Sequence, residues 1–131
     1  MKNLITTIAS VMIMMVFLLQ FINNQVLHNK IMNIDRSVNC FKEIAKQEGR
    51  LSDIREEELK TMISKYVDCD ESEIAVMADD KVRGRGEIIN LKVEIPLKNL
   101  IAANEVFGID DDSNSGIYCC NLYTTSEYVA R

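Results

Sequence analysis

An α+β chain is predicted: a long N-terminal transmembrane helix that continues as an amphipathic helix, a second short helix, and a small antiparallel sheet of about three strands. Three observations carry this. Residues 4–22 form an apolar run without a charged side chain, and about 20 residues at 1.5 Å rise cross a hydrocarbon core of roughly 30 Å. The apolar spacing continues at Leu27, Ile31, Ile34, Val38, Phe41 and Ala45, in helical steps of four and three. Residues 87–97 then alternate, with Ile89, Leu91, Val93, Ile95 and Leu97 on one side and Asn90, Lys92 and Glu94 on the other. That period of two marks a strand with one buried and one wet face.

The first helix is expected over residues 2–48, stopped by Gly49 in the left-handed position after a helix C-terminus. Its length is roughly 70 Å if straight. The apolar run exceeds the 7–15 residues of a secretory signal core, and residues 20–27 hold no Ala-x-Ala-like site. Residues 1–25 are therefore read as an uncleaved anchor, 26–48 as its amphipathic extension, and 49–131 as a small α+β head. Lys2 and the amino terminus precede the run, and the next basic side chains are Lys30 and Arg36. By the positive-inside rule the N-terminus is cytoplasmic and the head extracytoplasmic, a single-pass arrangement in the cell membrane.

One seam runs along this helix: Thr6, Ser10, Ile13, Phe17, Gln20, Asn24, Leu27, Ile31, Ile34, Val38, Phe41 and Ala45. Small and hydroxyl side chains four apart let helices approach closely in lipid. Thr6, Ser10, Gln20 and Asn24 thus suit helix association, and Thr6 and Ser10 equally suit a plain lipid-facing position. The outer half, from Leu27 through Phe41, is expected to pack on the chain's own head in preference to another chain.

The second helix starts near Asp53, with Glu56 completing a capping-box-like pair and Leu59, Met62, Ile63, Tyr66 and Val67 on one face. Asp68, Asp70, Glu71 and Glu73 read as a solvated connection. A first strand is expected over 73–78, a turn over 79–86, and the strongest strand over 87–97, where Pro96 suggests an edge or a strand end. Residues 97–107 are assigned a short helix, 110–116 a polar turn, and 117–125 a third strand.

Four cysteines allow three pairings. Outside the cytoplasm a disulfide is chemically permitted, and Cys40 with Cys69 is the favoured pair. Cys119 and Cys120 are neighbours on a strand and so point to opposite faces. The region after the anchor carries a formal charge of about −6, since only Lys2 precedes the run and all 20 acidic residues follow it. That balance argues against nucleic acid as a partner and against tight docking on anionic lipid. No catalytic, cofactor-binding or metal-ligating residue is assigned. Asp110, Asp112 and Asn114 alternate like calcium ligands, but Ser115 replaces the turn glycine and Asn121 stands where a bidentate Glu is needed. Residues 83–86 lack the Gly-Lys-Ser/Thr ending of a phosphate loop. His28 is the lone histidine and lies beside the membrane, which argues against a His-based triad; no residue pattern marks a catalytic centre, and no enzyme is expected.

An anchor helix, an amphipathic continuation and a head with an alternating strand resemble a pilin, and more narrowly the TadE-like pseudopilins of Tad (Flp-type) pilus systems. The matching segments are residues 87–97 with Pro96, residues 100–107, and residues 117–128 with Ser126, Glu127 and Tyr128. The resemblance implies a pilin-like fold and a structural or assembly role in a Tad-type pilus or secretion apparatus. It also implies partners among other pilus or secretion subunits, through the N-terminal helix, alongside membrane lipid and a homo-oligomer. The chain departs from prepilins at its start, where residues 1–6 hold neither the glycine before the apolar run nor the glutamate inside it. This implies a component that stays in the bilayer and not the bulk filament subunit. The alternative is a stand-alone bitopic membrane protein whose head binds a protein partner, as in a conjugative or phage-derived element.

Overall fold

The computed structural model describes residues 1–130. In chain order it contains α1 (Lys2–Glu48), α2 (Asp53–Val67), β1 (Ala75–Ala78), β2 (Ile88–Lys98) and β3 (Ser115–Thr125), with 3-10 turns at Glu71–Glu73 and Asn104–Phe107. The α+β class and all five main elements match the sequence reading. The chain divides into two compact units: Met1–Asn29 with Leu97–Gly116, and Lys30–Pro96 with the residues from Ile117 onward. The segment 97–116, read from sequence as part of the head, thus groups with the apolar start of α1.

α1 is unbroken over 47 residues and ends where Gly49 takes φ +77°. No other residue fits there. A Cβ would lie 2.7 Å from the Arg83 carbonyl oxygen and 2.9 Å from Tyr128 Cβ, on a backbone that L side chains rarely adopt.

In the first unit the apolar stretch of α1 is long and apolar enough to cross a membrane, and none of its most apolar 18 residues is buried. Its hydroxyls bond back to the helix itself: Thr6 Oγ1 to Lys2 O (2.9 Å), Thr7 Oγ1 to Asn3 O (2.7 Å) and Ser10 Oγ to Thr6 O (2.9 Å). Such back-bonding satisfies a hydroxyl without a neighbour. The helix expected over 97–107 does not form. Asn99 (φ +60°) and Ala103 (φ +56°) are left-handed, and only Asn104–Phe107 makes a single 3-10 turn, closed by left-handed Gly108.

In the second unit Ile34, Val38, Phe41 and Ala45 of α1 are buried. They share a core with Leu59, Ile63 and Val67 of α2 and with the inward face of β2, Ile89, Leu91, Val93 and Ile95. α2 buries a narrower stripe than expected, since Met62 and Tyr66 stay more than a third exposed. Its start differs as well. Ser52 occupies the N-cap with no side-chain cap bond, and Asp53 is already helical. The reciprocal capping box sits at Asp70 and Glu73, around the turn Glu71–Glu73. That turn consumes Glu73, so β1 begins two residues later than predicted.

The sheet order is β1-β2-β3, and β1 pairs antiparallel with β2 from Ala75↔Glu94 to Ala78↔Leu91. β2 is therefore the middle strand, which corrects the edge reading of Pro96 and keeps the strand-end reading. Pro96 lies past Glu94, where β1 has run out, so on that side its missing N–H leaves no partner carbonyl unpaired. Beyond β3, Ser126 Oγ donates to Arg83 O (2.8 Å) and Glu127 N–H to Lys46 O (2.9 Å), while Lys46 Nζ pairs with Glu127 (2.9 Å). These bonds tie Ser126 to the segment before β2 and Glu127 to α1.

Candidate functional site: a loop held on the apolar helix

Gln20 and Asn23 sit one turn apart at the edge of the apolar run. Both reach the same loop. Gln20 Nε2 donates to Leu100 O (3.2 Å) and Gln20 Oε1 accepts the Ala102 N–H (2.8 Å). Asn23 Nδ2 donates to Asn99 O (2.9 Å) and Leu100 O (3.1 Å). Gln20 Nε2 also donates to Asn24 Oδ1 (2.9 Å), which orients the amide.

Asn114 holds the same loop through other groups. It is 1% exposed. Its Oδ1 accepts the Ile101 N–H (2.7 Å), its Nδ2 donates to Ile101 O (3.0 Å), and its backbone oxygen accepts the Leu100 N–H (3.3 Å). Six consecutive backbone polar groups, from Asn99 O to Ala102 N, are thereby satisfied without water and without secondary structure. Buried or lipid-adjacent backbone demands this accounting. Gly116 completes the fit, because a Cβ there would come within 3.1 Å of Leu100 Cδ1.

The loop continues into the turn Asn104–Phe107. Asn104 Nδ2 donates to Ile109 O (3.0 Å) and Asp111 Oδ1 (2.8 Å), fixing the turn from below. Val106 and Phe107 remain 74% and 58% exposed. Together with Met12, Ile13, Val16 and Phe17 of α1 they line an apolar groove of about 470 Å³, with Gln20 at one end.

A second cluster lies in the other unit. Tyr118 Oη donates to Asp35 Oδ1 (2.7 Å), and burial followed by this bond raises the tyrosine's pKa. Cys120 is buried beside it. Burial first, then Asp35, pushes its thiol up to about 11. A thiol held protonated at neutral pH is a poor nucleophile and a poor metal ligand. Cys119 is exposed, as the alternation of a strand requires. No disulfide joins Cys40 to Cys69: Cys69 is buried, whereas Cys40 is exposed, about 200° around α1 from buried Val38. Among the described residues, no group of three or more His, Cys, Asp or Glu is placed to hold a metal ion.

The structure thus distributes the predicted seam over four environments. Thr6 and Ser10 are exposed and bonded to their own helix, and Gln20 is engaged by the loop with Asn24 behind it. Leu27 and Ile31 are half-buried, and Ile34, Val38 and Phe41 lie in the core of the second unit. Asn23 and Asn114 were missed. Asn23 carried a weak signal, a polar residue directly after the apolar run. Asn114 carried none, standing in a run of Asp, Ser and Asn that reads as an ordinary turn. Comparison with protein-family models, curated proteins and solved structures gives no match.

Proposed function

We propose that this protein is a membrane-anchored, pseudopilin-like structural or assembly component of a Tad-type pilus or secretion apparatus. The supporting observation is the division of labour along α1. One unbroken helix leaves its N-terminal turns uncovered and builds its later turns into the core of an α+β unit. A helix so placed offers an apolar rod to neighbouring helices while the folded unit offers a sheet to other subunits. With Thr6, Ser10 and Gln20 bonded within the chain, the association surface is the exposed apolar strip through Val11, Met15, Leu18 and Ile22, on the opposite face of the helix from Ile13 and Phe17, where close packing supplies the attraction. N-terminus cytoplasmic and head extracytoplasmic is the orientation that goes with this role.

The experiment is in-membrane crosslinking. A photo-reactive residue at position 15 or 18 of the full chain should give a discrete adduct with a second copy or with another single-span subunit, identified by mass spectrometry. Adducts with lipid alone at both positions would remove the pilus reading. The stand-alone bitopic reading then takes its place. It is favoured by one observation, that no polar group of the seam within the apolar run is left to bridge helices.

A further inference from the structure

We infer that residues 101–107 form a second membrane-contacting element, a short apolar finger that enters the outer leaflet beside the anchor helix and is covered by lipid acyl chains. The inference rests on reading residues 4–22 as a membrane span. Its own support is geometric. Val106 and Phe107 line one groove with Met12, Ile13, Val16 and Phe17. Any apolar slab deep enough to cover those four helix residues also covers the two finger residues beside them. At 1.5 Å per residue they lie about 5 to 12 Å along the axis from Gln20, close to the depth at which interfacial elements bury apolar faces.

The loop backbone is prepared for such a place. Irregular backbone at membrane depth is tolerated only when its polar groups are satisfied by protein. Gln20, Asn23 and Asn114 satisfy every such group from Asn99 O to Ala102 N. In the turn, Val106 N–H bonds to Ala103 O (3.0 Å) and Gly108 N–H to Glu105 O (3.1 Å). Charge selects the lipid. Glu105 stands exposed within the finger, Asp110, Asp111 and Asp112 follow it, and Lys98 is the sole basic residue within 97–116. The finger therefore enters by its apolar surface and gains nothing from anionic headgroups, so a zwitterionic bilayer is the fitting probe.

The chain holds no tryptophan, so single reporters are clean. The full chain carrying Phe107→Trp, Phe17→Trp or Tyr123→Trp is reconstituted in phosphatidylcholine vesicles with and without bromine on the acyl chains. Phe17→Trp reports the span, and Tyr123→Trp an exposed site on β3. Phe107→Trp should lose roughly half its emission to bromolipid, as Phe17→Trp does, at the shallow depth of an interfacial element. Tyr123→Trp should not change. Val106→Trp repeats the reading at the neighbouring position should Phe107→Trp fail to reconstitute. A quenched Phe17→Trp with unquenched reporters at 106 or 107 overturns the finger, whether red-shifted emission shows water in the groove or blue-shifted emission shows a second copy's helix there. If Phe17→Trp is itself unquenched, the membrane reading falls and the finger with it.

Discussion

The first 28 residues of α1 and the 19 that follow belong to one helix with one apolar rhythm, yet they meet opposite fates. In the later stretch Ile34, Val38, Phe41 and Ala45 are buried, while polar residues such as Asp35, Asn39 and Lys42 occupy other faces. In the earlier stretch the apolar residues go all the way round, and nearly all of them are exposed. A stripe can be covered by one folded unit; a full cylinder needs a surrounding solvent of its own kind. What separates the two stretches is thus the polarity of the remaining faces, since the spacing of the apolar face is shared.

Two charge substitutions break this comparison most sharply. Val38→Asp places an unpaired carboxylate at a position with 0% exposure and should cost about 4 kcal/mol or more. It should unfold the second unit, seen as loss of the denaturation transition of the detergent-solubilised full chain, while membrane insertion persists. Ile13→Asp should do the reverse. It costs about 3 kcal/mol of insertion, read as chain lost from the membrane fraction, and leaves the denaturation transition in place. If both variants fail in both assays, the two stretches do not act separately.

A smaller effect is expected from Asn114→Ala, which strands the Ile101 N–H and carbonyl. The cost is about 2 kcal/mol and local. Hydrogen exchange of residues 100–102 should accelerate, while amides of β2 hold their protection. The smallest effect is a pH dependence. Cys120 titrates ordinarily near 9 and in the fold near 11. Its contribution to stability is complete below pH 9 and is lost as pH climbs toward 11, because the unfolded chain ionises first. The raised Tyr118 acts in the same direction. The denaturation midpoint of the full chain should fall across this window, and Cys120→Ala should flatten the fall.

Much of the architecture was readable because it is set locally. Gly49 ends α1 where a left-handed residue is required, and the strict alternation of residues 89–97 reports the buried face of β2 residue by residue. The site built on Gln20, Asn23 and Asn114 was not readable, because nothing local sets it. Residues 97–107 have the composition of a short helix. Left-handed Asn99 and Ala103 prevent one, in a loop held by side chains about 80 positions away in the sequence. Gln20 was read as a polar contact between helices for the same reason. Its amide does bridge two segments, but both belong to one chain. The capping pair at Asp53 and Glu56 failed because Ser52 already held the cap position, while an equivalent pair stood at Asp70 and Glu73 inside a stretch that looked like plain acidic linker.

The central claim is that the uncovered turns of α1 stay attached and lie in lipid. Intact mass of the chain recovered from membranes washed in alkaline carbonate tests it most directly. The full-length mass in the membrane pellet is the expected result. A chain found in the wash, or a pellet form whose mass shows removal of residues through 22, contradicts it.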